Sequence, residues 1–148
     1  MEIAIITKSG EKREEKLKEF LKEELLEYGI QTIDANTVQE ALEEADQIII
    51  AFDAKLGMNP EFAETARVLY KHNVHPILLI TNSDVEGADN AQAKMAMGEI
   101  WTMENPDLSS EELFFSTFYF SYEKMMLDTV EEVKEDSIEV LVKIICKD

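Results

Sequence analysis

The side chains of this sequence that could do chemistry stand singly at the ends of short apolar runs. Asp53 follows Ile48 to Phe52, Thr81-Asn82-Ser83-Asp84 follows Ile77 to Ile80, and Ser9-Gly10 follows Ile3 to Thr7. A carboxylate at the end of a buried strand can bind a cation, accept a phosphoryl group or orient a ribose, and it can equally cap its own loop. Ser9 and Gly10 precede a helical stretch whose first N–H groups could hold an anion, and a plain turn accounts for them as well. No GxxxxGK[ST] or GxGxxG pattern is present. The candidate ligand-binding residues are therefore Ser9, Gly10, Asp53, Thr81, Asn82 and Asp84. No residue stands out as catalytic, no cofactor is specified, and whether the chain is an enzyme stays open.

Other reactive side chains read as structural. Glu64 falls on the side of its helix opposite Phe62, Ala66 and Leu69, so it faces solvent. His72 and His75 bracket a loop entering a strand without a matching Cys/His cluster, so no metal site is expected. Cys146, between Lys143 and Lys147, reads as a small buried hydrophobe.

The elements that must position these residues alternate along the chain. Residues 3–7 read as a buried strand, and Leu17, Phe20, Leu21, Leu25 and Tyr28 recur at helical spacing up to Gly29. Ile30 to Ala35 makes a second strand. Thr37 and Glu40 have capping-box spacing for a short helix through Ala45. Ile48 to Phe52 is apolar on both faces and belongs at the centre of a sheet. Asn59 and Pro60 form an N-cap and first turn for a helix with Phe62, Ala66 and Leu69 inward. Ile77 to Ile80 reads as another doubly buried strand, followed by a polar loop from Thr81 to Asp89 and a helix near 90–97. Beyond it we expect a strand over Glu99 to Met103, then a long helix from a Ser109/Glu112 capping box to about residue 135. Ser137 to Cys146 alternates Ile138, Val140, Val142 and Ile144, which favours a sixth strand over a terminal helix.

This alternation predicts an α/β fold, with a three-layer, doubly wound, mostly parallel open sheet of five to six strands of the flavodoxin-like or Rossmann-like kind. Residues 1–148 read as one domain, with no repeat or linker. Ligands in such sheets gather at the carboxyl ends of the strands. That edge is expected to carry Thr7 to Gly10, Asp53 to Asn59, Thr81 to Asp84 and Thr102 to Asn105.

The formal net charge is −18, from 32 acidic and 14 basic residues among 148. A field of that sign repels phosphate backbones and anionic membrane surfaces, so neither nucleic acid nor membrane is an expected partner. The same acidity serves solubility or offers a docking face to a basic protein. No apolar run approaches the roughly 18–20 residues of a membrane span. A single cysteine and an N-terminus without a secretory pattern are expected of a cytoplasmic protein. Phe114, Phe115, Phe118, Tyr119, Phe120 and Tyr122 are more rings than one helix face can bury. Any rings left exposed would form a partner or dimer surface.

From Ala45-Asp46 through Asp53-Ala54-x-x-Gly57-x-x-Pro60 to Asp84 and Gly87-Ala88-Asp89, the sequence resembles the guanine-nucleotide-binding domain of translational GTPases. The similarity covers roughly residues 30–90, with Arg67, Val74 and Ile77 inside it and Ile33-Asp34 where the family's metal motif begins. Where the family reads guanine with Asn-Lys-x-Asp, this chain has Thr81-Asn82-Ser83-Asp84. The metal-motif glycine and the lysine-bearing phosphate loop are absent, so the resemblance implies a degenerate relative or a shared fold without GTP hydrolysis. Response-regulator receivers look similar at Asp53 and Thr81, flavodoxins at Thr7 to Gly10, and nucleoside deoxyribosyltransferases around Asp46, Asp53, Glu64 and Ala66. Each lacks its chemical centre here.

Two functions follow as expectations. The first is a non-enzymatic regulatory or protein-interaction domain that meets a protein partner or a second copy through residues 113–122 and the final strand. The alternative is a nucleotide- or nucleoside-binding protein, or a hydrolase or transferase, that works through Asp53, Asp84 and the Ser9-Gly10 loop. Convergence of the candidate residues on one cleft favours the alternative.

Overall fold

The apolar runs alternate their burial with the two-residue period of a strand covered on both faces. Ile49, Ala51, Ile77 and Leu79 turn to one side, and Ile48, Ile50, Phe52, Leu78 and Ile80 turn to the other. In a computed structural model, which describes residues 1–7, 12–33, 35, 37–109 and 115–147, these runs line up in one sheet. Its strands are β1 (Glu2–Ile6), β2 (Gln31–Ile33), β3 (Gln47–Asp53), β4 (Ile77–Thr81), β5 (Thr117–Ser121) and β6 (Met126–Asp128), and the order across the sheet is β2-β1-β3-β4-β5-β6. All neighbours are parallel except β5 and β6, which are antiparallel.

The helices are α1 (Lys12–Leu26), α2 (Val38–Glu44), α3 (Pro60–Lys71), α4 (Asn90–Glu104) and α5 (Ile138–Ile145). Helices α1 and α5 bury Leu17, Leu21, Leu25, Ile138, Leu141 and Ile145 on one face of the sheet. Helices α2, α3 and α4 cover the other face, with Ala41, Phe62, Ala66, Leu69, Met97 and Trp101 inward. This is the expected three-layer doubly wound architecture. Local signals set several boundaries as expected. The Thr37 hydroxyl accepts from Glu40 N at 3.2 Å, and Asn59 Oδ1 accepts from Phe62 N at 2.9 Å with Pro60 in the first turn. No helix among the described residues is long and apolar enough to cross a membrane.

From residue 99 onward the elements differ from the expectation. Glu99 to Met103 is no strand but the last turn of α4. Ala93, Ala96, Met97, Ile100 and Trp101 are all buried at helical spacing from an Asp89 N-cap. The expected helix over 109–135 is replaced by β5 and β6. Phe118 and Phe120 pack on the α1/α5 face and Tyr119 on the opposite one, which completes the open edge of β4 with the residue types that favour strands. Glu112 and Phe114 lie outside the described residues. Ser137 to Cys146 is helix α5 instead of a sixth strand. Its buried residues, Ile138, Leu141 and Ile145, follow helical spacing, whereas Val140 is exposed.

These changes reduce the expected association surface among the described residues. Phe118, Tyr119 and Phe120 belong to the core, Phe115 and Tyr122 are half-buried, and the terminal segment offers no strand to a second copy. Cys146, expected inside, is exposed because it follows the last buried turn of α5. Thr102 to Asn105 also leaves the expected edge. Helix α4 runs back across the sheet, so its end lies at the amino edge, where Trp101 meets His75 just before β4.

Candidate functional site

At the carboxyl edge, Asp53 and Thr81 end neighbouring strands in register, and Ala54 N donates to Thr81 O at 2.9 Å. Asp53 Oδ1 accepts from Lys55 N at 2.9 Å and Leu56 N at 3.2 Å, the loop-capping role open to an aspartate at a strand end. Its other oxygen accepts from Asn82 Nδ2 at 3.0 Å. Asn82 is buried and has φ 58°, a left-handed conformation that asparagine tolerates better than most residues. Asp53 and Asn82 thus tie the β3–α3 and β4–α4 loops together. Gly57, at φ 75°, lets the first of these loops pass close to α4. A Cβ there would stand 2.8 Å from Gln92 Oε1, the atom that accepts Met58 N at 3.2 Å.

The remaining walls come from β5 and α1. Ser121, fully buried at the end of β5, donates its hydroxyl to Asp84 Oδ2 at 3.1 Å and accepts Lys124 N at 3.2 Å. Tyr122 follows, its ring edge-on to Phe120 at 5.2 Å, and the Arg13 guanidinium lies 5.8 Å from its centroid. An open cleft of about 650 Å³ is lined by Arg13, Lys16, Asn82, Asp84, Tyr122 and Glu123. A smaller hollow of about 50 Å³ adjoins it, lined by Asp53 and Thr81 together with the shared Arg13, Asn82 and Tyr122. The cleft lies beside β4 and β5 on the α1 side. Between β1 and β3, where the strand order reverses, the described residues Thr7 and Asn59 line a hollow of about 40 Å³.

Four of the candidate residues, Asp53, Thr81, Asn82 and Asp84, therefore come together. Ser9 and Gly10 lie outside the described residues. Glu64 faces solvent and pairs with Arg67 at 3.8 Å, and His72 Nδ1 and Val68 O lie within hydrogen-bond distance at 2.9 Å. Among the described residues, no three His, Cys, Asp or Glu side chains gather as a metal site. Sequence reasoning missed Arg13, Lys16, Ser121 and Tyr122. The last two would have been found by reading β5 as a strand, since they stand at its carboxyl end.

The Asp53–Asn82 tie has a measurable worth. Asn82→Ala should cost about 2 kcal/mol, from a lost hydrogen bond to a carboxylate and an alanine forced to positive φ. Asn82→Gly, which removes the bond and keeps the conformation accessible, should cost about 1 kcal/mol. Urea denaturation of the two variants separates the two terms, and equal losses would show that the backbone conformation contributes nothing.

No family model matches the sequence, and no curated protein matches it. Among solved structures, the chain is similar to translation elongation factor SelB from Methanococcus maripaludis. The apo form superposes with a TM-score of 0.60 at 17% identity, over 100% of this chain and 35% of that one. The complex with the GTP analogue GppNHp gives 0.55 at 20% identity, over 84% and 30%. The N-terminal domain of a response regulator/sensory box/GGDEF 3-domain protein from Carboxydothermus hydrogenoformans matches at a TM-score of 0.40 and 14% identity, over 98% of this chain and 90% of that one, too loosely to carry an argument. The chain thus spans about a third of the SelB chain, and at these identities the likeness is one of fold alone.

Proposed function

We propose that this chain is a regulatory binding domain that takes up a small nucleotide or nucleoside at the carboxyl edge of its sheet. One observation carries the reading: Asn82 and Asp84 line an open cleft with Arg13, Lys16 and Tyr122, and Asp53 and Thr81 line a small hollow that adjoins it. Its volume lies in the range of small-molecule sites. Tyr122 supplies a ring for a planar base, Asp84 an acceptor for N–H or O–H groups, and Arg13 and Lys16 positive charge. Asp53 and Asp84 already accept hydrogen bonds that hold Asn82 and Ser121, a role that suits recognition more than proton transfer. That a SelB structure of similar fold was solved with a GTP analogue is compatible with the reading. The interaction reading loses Phe118, Tyr119, Phe120 and its terminal strand edge, and keeps the acidity and the half-buried Phe115 and Tyr122.

A thermal-shift panel of guanosine, GMP, GDP, adenosine, AMP, ADP and FMN tests the proposal. A ligand at about 100 times its dissociation constant adds about 2.7 kcal/mol, a rise of about 5–10 °C for a chain of this size. The shift should shrink in Asp84→Asn, which keeps an acceptor for the buried Ser121 hydroxyl and removes the charge from the cleft. No shift with any probe at millimolar concentration would refute the reading.

A further inference from the structure

We infer that the ligand of this cleft carries a phosphate group held by the side chains of Arg13 and Lys16, an inference that rests on the nucleotide reading above. Basic side chains are scarce in a chain with 14 of them against 32 acidic ones. The ion pairs among the described residues use Arg67, Lys94 and Lys134, and neither Arg13 nor Lys16 enters one. Both line the same cleft from α1. Three residues apart on a helix, they stand on one face about 5–6 Å apart at Cβ. Two adjacent unpaired cations in an acidic protein lower the cost of bringing an anion to that wall.

The two residues are also unlike in a useful way. Arg13 rests with its guanidinium 5.8 Å from the Tyr122 ring centroid, and its planar fork of N–H donors suits a bidentate bond to phosphate. Lys16 adds a point charge without that directionality. Asp84 and Glu123, which line the same cleft, repel a second anionic end and accept from hydrogen-bond donors. The adjoining hollow of about 50 Å³ lies against the Asp53 carboxylate, so it favours water or a hydroxyl over phosphate. The cleft thus offers basic groups for a phosphate and acidic ones for N–H or O–H groups, which is the polarity of a nucleoside monophosphate or diphosphate.

The test is calorimetric titration of the full chain with guanosine, GMP, adenosine and AMP, using wild type, Arg13→Gln, Lys16→Gln and the double variant. Both residues are exposed, so the variants should keep the wild-type thermal midpoint. Lys22→Gln, an exposed residue elsewhere on α1, removes the same charge away from the cleft as a control. The better-bound monophosphate should bind at least about 10-fold tighter than its nucleoside, each variant should lose about 10-fold of monophosphate affinity and the double variant about 100-fold. Nucleoside affinity and Lys22→Gln should stay near wild type. Equal binding of nucleoside and monophosphate, or an equal loss in Lys22→Gln, would overturn the phosphate assignment and leave the nucleotide reading standing. Failure of all four probes and of GDP and ADP to bind would overturn the phosphate assignment, and failure of FMN as well would overturn the nucleotide reading.

Discussion

Trp101→Ala is expected to destabilise the fold by about 4 kcal/mol and to lower the thermal midpoint by about 8–16 °C. The indole is 2% exposed at the amino edge of the sheet. It meets Tyr70 at 5.2 Å, His75 at 4.7 Å and Phe115 at 4.9 Å between ring centroids, in edge-on geometries that add to the area they bury. Its Nε1 donates to Ala66 O at 3.2 Å, which fixes α4 against α3. Alanine leaves a cavity that three rings on separate elements cannot refill together. Trp101→Phe keeps most of the packing and loses the donor, for about 1 kcal/mol. Circular dichroism during urea denaturation reads both variants, because the chain has no other tryptophan to follow by fluorescence. The cleft lies at the opposite edge, so ligand affinity of the folded variants should not change. A loss below about 1 kcal/mol for alanine would show that the α3–α4 contact yields independently of the core.

The second large effect belongs to Asp128, buried at the end of β6. Its Oδ1 accepts from Thr129 N at 2.7 Å and the Ser137 hydroxyl at 2.9 Å, and its Oδ2 from Lys134 N at 2.8 Å and Glu135 N at 2.9 Å. One carboxylate therefore organises the loop that returns the chain from β6 to α5. Burial pushes its pKa up, but the N–H groups of Glu135, Lys134 and Thr129 and the Ser137 hydroxyl together hold it below the ordinary aspartate value of 3.8. Asp128→Ala should cost about 3 kcal/mol at neutral pH, since it leaves several inward donors without an acceptor. A folded-state pKa below the unfolded one contributes stability that is fully present above the unfolded value and is lost as pH falls through the folded value. The gap between wild type and variant should therefore be constant above about pH 5 and close below about pH 4. Glu24 acts in the opposite sense. Burial, then Asp136, Glu27 and Glu23, raise its pKa, so its unfavourable contribution is relieved as pH falls. The difference between the two proteins, measured as urea midpoints across pH, isolates Asp128. A gap unchanged at about pH 3 would show that the carboxylate's charge is not what the loop requires.

The parts of the fold legible in the sequence are those whose signals are local. Ile48 to Phe52 and Ile77 to Ile80 are too continuously apolar for anything but central strands, and Asn59-Pro60 marks a helix start through its own hydrogen bond. Beyond residue 98 the deciding information lies elsewhere in the chain. Ile100-Trp101 reads as a strand fragment until Ala93, Ala96 and Met97 are counted on the same helix face. Phe118 to Phe120 has no period of its own and becomes a strand because β4 has an unfilled edge. Ile138, Val140, Val142 and Ile144 alternate, but Leu141 and Ile145 complete a helical stripe, and β6 already occupies the sheet position the segment would have taken. The candidate site divides the same way. Asp53, Thr81, Asn82 and Asp84 were accessible because they end legible strands. Tyr122 was hidden with its strand, and cations on α1 look like any solvated helix face until a cleft opens beside them.

The mixed strand directions also set the order in which the cleft can be built. β5 and β6 are joined by Tyr122 to Met125, a hairpin of the kind that closes in about 1–10 µs. β3 and β4 meet only after α3 has crossed the sheet, and such non-local pairing is the slow step in forming parallel sheets. The Tyr122 wall can therefore form early, while the Asn82–Asp53 bridge requires both central strands in final register. A partly folded chain rich in secondary structure would lack the site. Ligand would accordingly slow unfolding and leave the folding rate untouched, because it has nothing to grip until the last crossover is in place.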